Sequence, residues 1–494
     1  MPSRVGSGSS TRSALAELLR PDSPIQRVAT EFARAGHELY LVGGAVRDAL
    51  LKRRGSRQEF DFATDATPDV TKTVLEPFAS AVWLQGERFG TVGARVSGVD
   101  MEITTFRTER YQPSSRHPDV SFTPDIRTDL SRRDFTINAL ALHLVEKRLI
   151  DLFNGVGDLE QRLLKTPVDP RDSFGDDPLR MLRAFRFASE LDFRIAPDTL
   201  AAIEEMKPEL ANISAERIRD ELSKLLVGAA PGRSLAVAES VGLTHFFLPE
   251  LSSLKLEQDP VHRHKDVFTH TLAVVERTAP DVELRLAALL HDVGKPKTRK
   301  IGPDGVSFHH HEVVGAKIAE ARLRALRYPN HMVANVSEAI RLHHRFHTYR
   351  LGWNDSAVRR YVRDAGPILP LVNALVRADC TTRNQDKARR LAQRMDELEE
   401  RIRELAAQEE IEKLRPELDG HKVMSYLGVQ GGPVIGRAME FLLEIRLDEG
   451  LIGADEAYRR LDAWARDNGI DPAGERVPPK EKKKKDPGTE GSGG

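Results

Sequence analysis

The sequence predicts an α+β protein, in which a domain with a mixed β-sheet and helices is followed by an all-α body. The chain has 494 residues, which is more than one hydrophobic core usually organises, so two to four domains are expected. Short β-rich runs alternate with turns between residues 38 and 150. From residue 155 onward, helix formers such as Ala, Leu, Glu and Arg dominate, which favours the helical body.

Seven short apolar runs predict the strands of the sheet domain. In chain order they are HELYLVGG, FDFA, AVWLQG, GTVGARV, VDMEITTF, ALALHLV and RLIDLF. Turns interrupt the helical part near KTPVDP, LPELSSLKLEQDP, KIGPDG and LRPELDG. Between residues 387 and 412, apolar side chains recur at 4-3-4-3 spacing and predict one long amphipathic helix. This helix packs on its own domain or pairs in an antiparallel or dimeric coiled coil, and the sequence leaves both open.

These patterns divide the chain into six segments. They are a disordered N-terminus (1–22), the sheet domain (23–160), a helical neck (161–252), a histidine-rich helical domain (253–385), a C-terminal helical region (386–475) and a disordered Lys-rich tail (476–494).

Composition limits the compartment and the partners. A single cysteine, Cys380, excludes a disulfide framework within the chain and fits the reducing cytoplasm. The N-terminus lacks the apolar core of a secretion signal, and no apolar run reaches the ~18 residues of a membrane span, so we expect a cytoplasmic protein without a membrane partner. A net charge of −1 neither implies nor excludes nucleic acid. Monomer and homodimer both remain open.

Two acidic residues share one face of a predicted strand in RQEFDFATDATP. Glu59 and Asp61 are two residues apart, so their carboxylates point the same way while Phe60 and Phe62 face the core. Glu102 lies at the centre of the later strand DMEITTFR, where a core residue would be expected. Carboxylates on neighbouring strands, without His or Cys nearby, favour Mg²⁺. A solvent-facing pair of acids on an edge strand is the alternative.

A glycine pair separates a strand from a helix in YLVGGAVRDALL. Gly43 and Gly44 let the backbone turn tightly beside a ligand, and the N–H groups of the following helix attract an anion. Arg47 on the first turn adds a positive charge. The pattern predicts a triphosphate site, where two metal ions would activate a hydroxyl and stabilise the departing pyrophosphate. A plain strand-to-helix connection is the alternative.

Seven motifs occur in an order that resembles a known enzyme family. They are LVGGAVRD, DFATDATP, GERFGTV, EITTFRTE, RRDFTINAL, DLFNG and DDPLRMLRAFRFA. From residue 38 to about 250, the chain resembles the class II CCA-adding enzymes and bacterial poly(A) polymerases of the polymerase beta-like nucleotidyltransferase superfamily. The resemblance implies that Glu59, Asp61 and Glu102 are catalytic and that the first two bind Mg²⁺. Where the family usually has Asp-x-Asp, this chain has Glu59-Phe60-Asp61.

The resemblance also assigns nucleotide-binding residues, among them the glycine pair and Arg47. In DDPLRMLRAFRF, Asp177 and Arg180 are three apart on a predicted helix, where a salt bridge would set an acceptor beside a donor. Cytosine and adenine offer the complementary edge, so CTP and ATP would be admitted and UTP and GTP rejected. Arg183 belongs to the same motif. RRDFTIN resembles the ribose-recognition motif, with Arg133 and Asp134 as candidates for the 2′-hydroxyl. For Asp177 and Arg180, the alternative is a simple ion pair within the helix. For Arg133 and Asp134, the alternative is that they only connect a strand to the helical neck.

Two further segments extend the resemblance. The polar loop TERYQPSSRHPDV (108–120) resembles the loop that helps family members switch from C to A addition. The helix SAERIRDEL (214–222) matches a motif that shapes the nucleotide pocket.

Histidines cluster between residues 261 and 347. The residues that match the H…HD…D pattern of the HD phosphohydrolase superfamily are His270, His291, Asp292 and Asp379. A variant of the pattern with a second metal has further ligands, which here would be His311 and His343. Imidazole with carboxylate suits a transition metal such as Ni²⁺ or Mn²⁺, which could activate water against a phosphate ester.

Together these patterns predict an enzyme that adds CCA, or part of it, to the 3′ end of tRNA from CTP and ATP without a nucleic-acid template. A poly(A) polymerase is the closest alternative, and the QGERFGTVG motif with the 108–120 loop favours CCA addition. Two other classes are an HD phosphohydrolase with a sensor-like N-terminal domain and a tRNA-binding module without chemistry.

Overall fold

A computed structural model gives the structure of residues 15–476, except residues 17, 54–58, 85–89, 111–118, 257–265, 303–304, 347–352, 381–384 and 410–414. The chain divides into two compact units, Met1–Ile340 and Arg341–Gly494. The six segments expected from the sequence are a finer division, which stays a prediction.

A seven-stranded mixed sheet begins the first unit. The strands of this part of the chain are β1 (Leu39–Val42), β2 (Glu59–Thr64), β3 (Ala81–Trp83), β4 (Thr91–Val96), β5 (Val99–Thr105), β6 (Arg107–Arg110), β7 (Asp119–Phe122), β8 (Leu140–His143) and β9 (Arg148–Asp151). The order across the sheet is β3-β4-β5-β2-β1-β8-β9, and β6 and β7 form a separate hairpin. Strands β2 and β5 are parallel, and the other neighbours are antiparallel. All seven predicted runs form the sheet, so the prediction of a mixed sheet is confirmed.

Helices pack on this sheet and continue into the neck and the histidine-rich region. Those of the first unit are α1 (Pro24–Arg34), α2 (Gly44–Leu50), α3 (Pro68–Leu75), α4 (Ile126–Ser131), α5 (Gly155–Gln161), α6 (Pro170–Asp176), α7 (Leu179–Leu191), α8 (Pro197–Met206), α9 (Ala215–Leu226), α10 (Pro231–Ser240), α11 (Pro249–Ser253), α12 (Val267–Arg277), α13 (Val282–Leu290), α14 (Lys295–Thr298), α15 (His311–Ala325) and α16 (Asn330–Leu342), which reaches the unit boundary. Strands β10 (Leu163–Leu164) and β11 (Arg194–Ile195) pair in parallel, and β12 (Lys300–Gly302) and β13 (Gly305–Ser307) form a hairpin.

The apolar run of β1 explains why this strand lies inside the sheet. All four residues of Leu39–Val42 are buried, as expected for a strand covered on both faces. Because β1 pairs with β2 on one side and β8 on the other, its end delivers the glycine turn beside the strand that carries the acids.

The regular secondary structure that is described in the second unit is helical. Its helices are α17 (Asp355–Ala365), α18 (Leu369–Asp379), α19 (Gln385–Glu409), α20 (Gly420–Leu427), α21 (Pro433–Glu449) and α22 (Ala454–Asp467). The predicted long amphipathic helix is α19, which buries Met395, Leu398 and Leu405 and pairs Arg401 with Asp355 of α17 at 2.6 Å. Packing within its own unit is therefore the arrangement observed. Among the helices that the structure describes, none is long and apolar enough to cross a membrane.

Candidate active site

Two of the predicted catalytic acids lie side by side on the sheet. Asp61 on β2 is in register with Glu102 on the parallel strand β5. Both residues are exposed, while the next residues, Phe62 and Ile103, are buried on the opposite face. Two exposed carboxylates in register form the kind of oxygen pair that a hard cation bridges. Glu59 begins the same strand two residues earlier, and its side chain lies outside the described part of the structure.

The turn between β1 and α2 has a backbone that glycine adopts far more readily than other residues. Gly43 has φ 71° and ψ −133°. A Cβ atom built on Gly43 would lie 4.0 Å from Asp61 Oδ2 and 3.3 Å from Arg133 Nη1. The turn therefore brings bare backbone next to a carboxylate and a guanidinium.

An arginine-rich cleft of about 530 Å³ opens beside the turn and Asp61. Its lining includes Arg47, Arg107, Arg132, Arg133, Arg180, Arg183, Arg186 and Arg217, and the aspartates Asp61, Asp134 and Asp177. The lining holds eight guanidinium groups and three carboxylates, and this excess of guanidinium favours an anionic ligand such as a triphosphate. All eight residues that the sequence predicted to bind the nucleotide line this cleft; their individual roles stay predictions.

Asp134 connects the sheet domain to helix α7. Its buried carboxylate accepts hydrogen bonds from the Phe135 N–H at 2.8 Å, from Asn138 Nδ2 at 3.0 Å and from Arg183 Nε and Nη2 at 3.0 and 2.6 Å. Burial alone would raise the pKa of Asp134. The Arg183 guanidinium and the Asn138 hydrogen bond outweigh this effect, and the resulting pKa is about 2. Four donors fill the acceptor capacity of this carboxylate. These contacts anchor Arg183 to Asp134, and the role of Asp134 towards a ribose hydroxyl stays a prediction.

The predicted salt bridge between Asp177 and Arg180 is wrong. Asp177 follows α6 in an extended conformation, with φ −145° and ψ 101°, because Pro178 comes next and disfavours the helical region. The two residues therefore share no helical face. Arg217 contacts the Asp177 carboxylate at 2.7 Å, whereas the Arg180 guanidinium donates to two main-chain oxygens at 3.1 and 2.6 Å.

Arg47 and Arg133 differ in how many of their hydrogen-bond donors already have partners within the protein. Arg47 is buried and donates to Asp48 Oδ1 at 2.8 Å and to Asn138 Oδ1 at 2.9 Å. Arg133 contacts Asp129 at 3.3 Å, but its buried Nε has no hydrogen-bond partner among the described residues. A buried donor without a partner, in a residue that lines the cleft, suits an incoming oxygen.

Four arginines of the cleft lie outside the set predicted from the sequence. They are Arg107, Arg132, Arg186 and Arg217. The Arg186 guanidinium lies 3.9 Å from the centre of the Phe187 ring, and burial lowers its pKa while Glu221 opposes that change. The spacing of three residues between the arginines of RMLRAFR was the available signal, since it lines up one face of a helix. For Arg132 and Arg217, the only sequence signal is that they lie within the motifs RRDF and ERIRDE.

A second cluster of ligand-type side chains lies at α12, α13 and α15 in the first unit. His291 Nε2 lies 3.4 Å from His270 Nε2 and 3.2 Å from Asp292 Oδ2, and His311 Nε2 lies 3.7 Å from Asp292 Oδ1. The Nδ1 atoms of His291 and His311 face main-chain oxygens at 2.8 and 2.9 Å. Those contacts favour the tautomer whose Nε2 is a ligand, as in metal sites. Lys295 Nζ also contacts Asp292, at 2.6 Å.

The structure gives less information on the remaining predicted ligands and motifs. His343, on the turn His343–Arg345, and Asp379, at the end of α18, belong to the second compact unit, and their roles stay predictions. The GERFGTV motif, the 108–120 loop and both terminal segments lie largely outside the described residues.

Three family models match the chain in succession. Their descriptions are the Poly A polymerase head domain (residues 39–165), a probable RNA and SrmB-binding site of polymerase A (residues 192–255) and the HD domain (residues 267–406). An A-adding tRNA nucleotidyltransferase of Deinococcus radiodurans is 34% identical over 440 residues, which cover 86% of this chain and 95% of that protein. This chain belongs to the CCA-adding enzyme family of tRNA nucleotidyltransferases.

Other members of the CCA-adding enzyme family are similar to this chain over different lengths. A CCA-adding enzyme of Bacillus licheniformis is 43% identical over 214 residues, which cover 43% of this chain and 52% of that enzyme. In that comparison the chain spans about half the length of its relative. The structure of the Bacillus stearothermophilus CCA-adding enzyme in complex with CTP has 25% identity and a TM-score of 0.65, and covers 91% of this chain and 99% of that one. The head domain and helical body are therefore the fold of the CCA-adding enzyme family.

Proposed function

We propose that this chain completes the 3′ end of tRNA, adding C, C and then A from CTP and ATP without a nucleic-acid template. The observation that carries the proposal is that Asp61 and Glu102 lie in register on neighbouring strands. Asp61 also lies beside the Gly43 turn and lines the arginine-rich cleft. Paired carboxylates beside an anion-binding cleft are what nucleotidyl transfer requires. The names of the relatives, CCA-adding and A-adding enzymes, support tRNA as the acceptor.

The side chains of the cleft would bind and orient the nucleotide. The arginines hold the triphosphate charge, and Arg133 Nε donates to a phosphate or ribose oxygen. Asp177 and Arg180 present an acceptor and a donor to the base. Each is held by partners of its own, Arg217 for the carboxylate and main-chain oxygens for the guanidinium, so their spacing is set before a nucleotide arrives.

The acids fit a hard divalent cation. Asp61 and Glu102 offer exposed oxygen ligands in register, and Glu59 lies two residues before Asp61. Mg²⁺ bound by these residues would supply activation of the attacking hydroxyl and neutralisation of the departing pyrophosphate. Carboxylates alone, without imidazole, favour Mg²⁺ over a transition metal.

The alternatives concern how much of CCA is added. A poly(A) polymerase would share the head domain. A relative that matches 86% of this chain is an A-adding enzyme, so addition of A alone is a second outcome to separate. The QGERFGTVG motif and the 108–120 loop favour CCA addition over poly(A) synthesis, and the sequence leaves full and partial addition open.

A primer-extension assay separates these outcomes. Purified protein is incubated with tRNAs that end at the discriminator base, at C and at CC, with each NTP alone and with CTP and ATP together. We expect CTP incorporation on the first two acceptors, a single A on the third, and nothing from UTP or GTP. Growth of a long A tail would identify a poly(A) polymerase, and incorporation only on the CC acceptor would identify an A-adding enzyme.

Asp61→Ala tests the site itself. Loss of a metal ligand from an exposed position should abolish addition while the unfolding midpoint stays near that of the wild type. Asp69→Ala, at an exposed position in the first turn of α3, is the matched control and should keep full activity. Extension by Asp61→Ala at the wild-type rate would contradict the assignment.

The proposal also sets the partners and the place of action. tRNA, CTP and ATP are the partners, and tRNA maturation takes place in the cytoplasm. Nothing in this mechanism requires a second copy of the chain, because the acids and the cleft come from one unit.

A second candidate activity is hydrolysis of phosphate esters at the histidine cluster. The supporting observation is that His270, His291 and Asp292 place ligand atoms within 4.8 Å of one another. A transition metal held there would supply an activated water. Asp292 would be shared between that metal and Lys295.

A further inference from the structure

A tryptophan on the edge strand lies in line with the catalytic acids. Trp83 on β3 is in register with Gly93 on β4, and Gly93 is in register with Glu102 on β5. Glu102 is in turn beside Asp61. The row across the sheet is therefore Trp83, Gly93, Glu102 and Asp61.

Gly93 leaves the space that the indole occupies. A Cβ atom on Gly93 would lie 2.0 Å from Trp83 Nε1 and 2.2 Å from Trp83 Cε2. Since that Cβ would point to the same face as the side chain of Glu102, the ring lies over Gly93 on the catalytic face. Trp83 is only partly buried there, so part of the ring remains available to a ligand.

The nucleotide and the acceptor must reach the acids from opposite sides, because the attacking and leaving oxygens are in line across the phosphorus. The glycine turn follows β1, and β1 and β5 flank β2 on its two sides. Of these described residues, the cleft lining includes Gly43 and Asp61 but not Glu102 or Trp83. The attacking hydroxyl therefore approaches on the Glu102 side, where Trp83 lies.

We propose that the Trp83 indole is the platform on which the terminal base of the tRNA acceptor end stacks. The inference rests on the proposed function. The acceptor ends in the discriminator base, then C, then C, so a contact kept through all three additions has to tolerate different bases. Stacking does so because every base has a π face, and it strengthens binding about 5- to 150-fold.

Steady-state kinetics on the full-length protein test the platform. With tRNA ending in CC, Trp83→Ala should raise the KM for the acceptor about tenfold, while the KM for ATP stays unchanged. Trp83→Phe keeps a ring and should restore most of the affinity. Gly93→Ala should displace the indole and reproduce the effect of Trp83→Ala, and the double variant should be no worse than either.

An acceptor whose terminal nucleotide lacks its base separates stacking from a structural effect. The wild-type KM should rise about tenfold on this substrate, whereas Trp83→Ala should treat intact and abasic acceptors alike. An equal loss on both acceptors, or an unchanged acceptor KM in Trp83→Ala, would overturn the platform. A wild-type protein that adds no nucleotide at all would instead refute the proposed function.

Discussion

At the residue scale, Asp134 shows how one buried carboxylate couples pH to stability. Its pKa of about 2 lies below the value of about 3.9 expected for an unfolded Asp. A group with a depressed folded-state pKa adds stability that is present above the unfolded pKa and is lost as the pH falls through the folded pKa. The contribution of Asp134 should therefore disappear between about pH 4 and pH 2.

Asp134→Asn should lower the free energy of unfolding by about 2 kcal/mol at pH 7, because the charge that Arg183 pairs with is removed. The difference from the wild type should shrink as the pH falls from 4 to 2. Urea unfolding at several pH values measures it, with the exposed Asp69→Asn as control. A difference as large at pH 2 as at pH 7 would show that charge is not its cause.

The residues that line the cleft were easier to predict from the sequence than the contacts between them. The motifs placed all eight predicted nucleotide-binding residues in one cleft. They did not give the partner of Asp177, because Pro178 takes it off the helix and the true partner, Arg217, lies on α9. Tertiary contacts of this kind leave no local periodicity to read.

At the element scale, the turn between β1 and α2 joins backbone conformation to chemistry. Gly43 adopts a positive φ of 71°, where a Cβ atom is disfavoured, and it also sits against Arg133 and Asp61. Gly98, in the β4–β5 turn, has a φ of 80° but nothing within 4 Å of a built Cβ. The two glycines share backbone strain and differ in their surroundings.

Gly43→Ala and Gly98→Ala should therefore each cost about 1–2 kcal/mol of stability from the positive φ. Only Gly43→Ala should also reduce nucleotide addition, by at least about tenfold, since its methyl group would enter the space between the turn and the side chains of Arg133 and Asp61. Thermal unfolding and single-turnover extension measure the two effects. Equal activity in the two variants would deny the turn a role in catalysis.

Elements were predicted well where periodicity was strong. The seven apolar runs became the seven strands, and the 4-3-4-3 pattern became α19. The sequence could not choose between self-packing and a coiled coil for this helix. Within the single chain, α19 pairs Arg401 with Asp355 of its own unit, and a dimeric coiled coil stays a prediction.

At the scale of the whole molecule, two sets of ligand-type side chains lie on different elements. The acids come from strands β2 and β5, and the histidine cluster comes from α12, α13 and α15. Oxygen ligands favour Mg²⁺ and imidazole ligands favour transition metals, so the two sites should differ in metal preference. The order of the polymerase head, the RNA-binding region and the HD domain follows the order of the motifs along the chain.

The double variant His291→Ala, Asp292→Ala should abolish Ni²⁺- or Mn²⁺-dependent hydrolysis of 2′,3′-cyclic nucleotides, because it removes two of the three clustered ligands. Addition of nucleotides to tRNA should survive. Elemental analysis after metal loading and a phosphate-release assay measure the change, with the exposed His331→Ala as control. Wild-type protein that takes up no metal and releases no phosphate would mark this region as a structural platform.

The nucleotide cleft is assembled from residues far apart along the chain, and this has a consequence during synthesis. Its lining runs from Gly43, just after the first strand, to Arg217 on α9. A nascent chain emerges N-terminus first and its domains fold as units. A chain that has exposed its sheet but not α9 holds the paired acids without Arg217, the lining residue that contacts Asp177. We therefore expect transfer to begin only after α9 has left the ribosome, so that an unfinished copy would leave the tRNAs that feed its own translation unmodified.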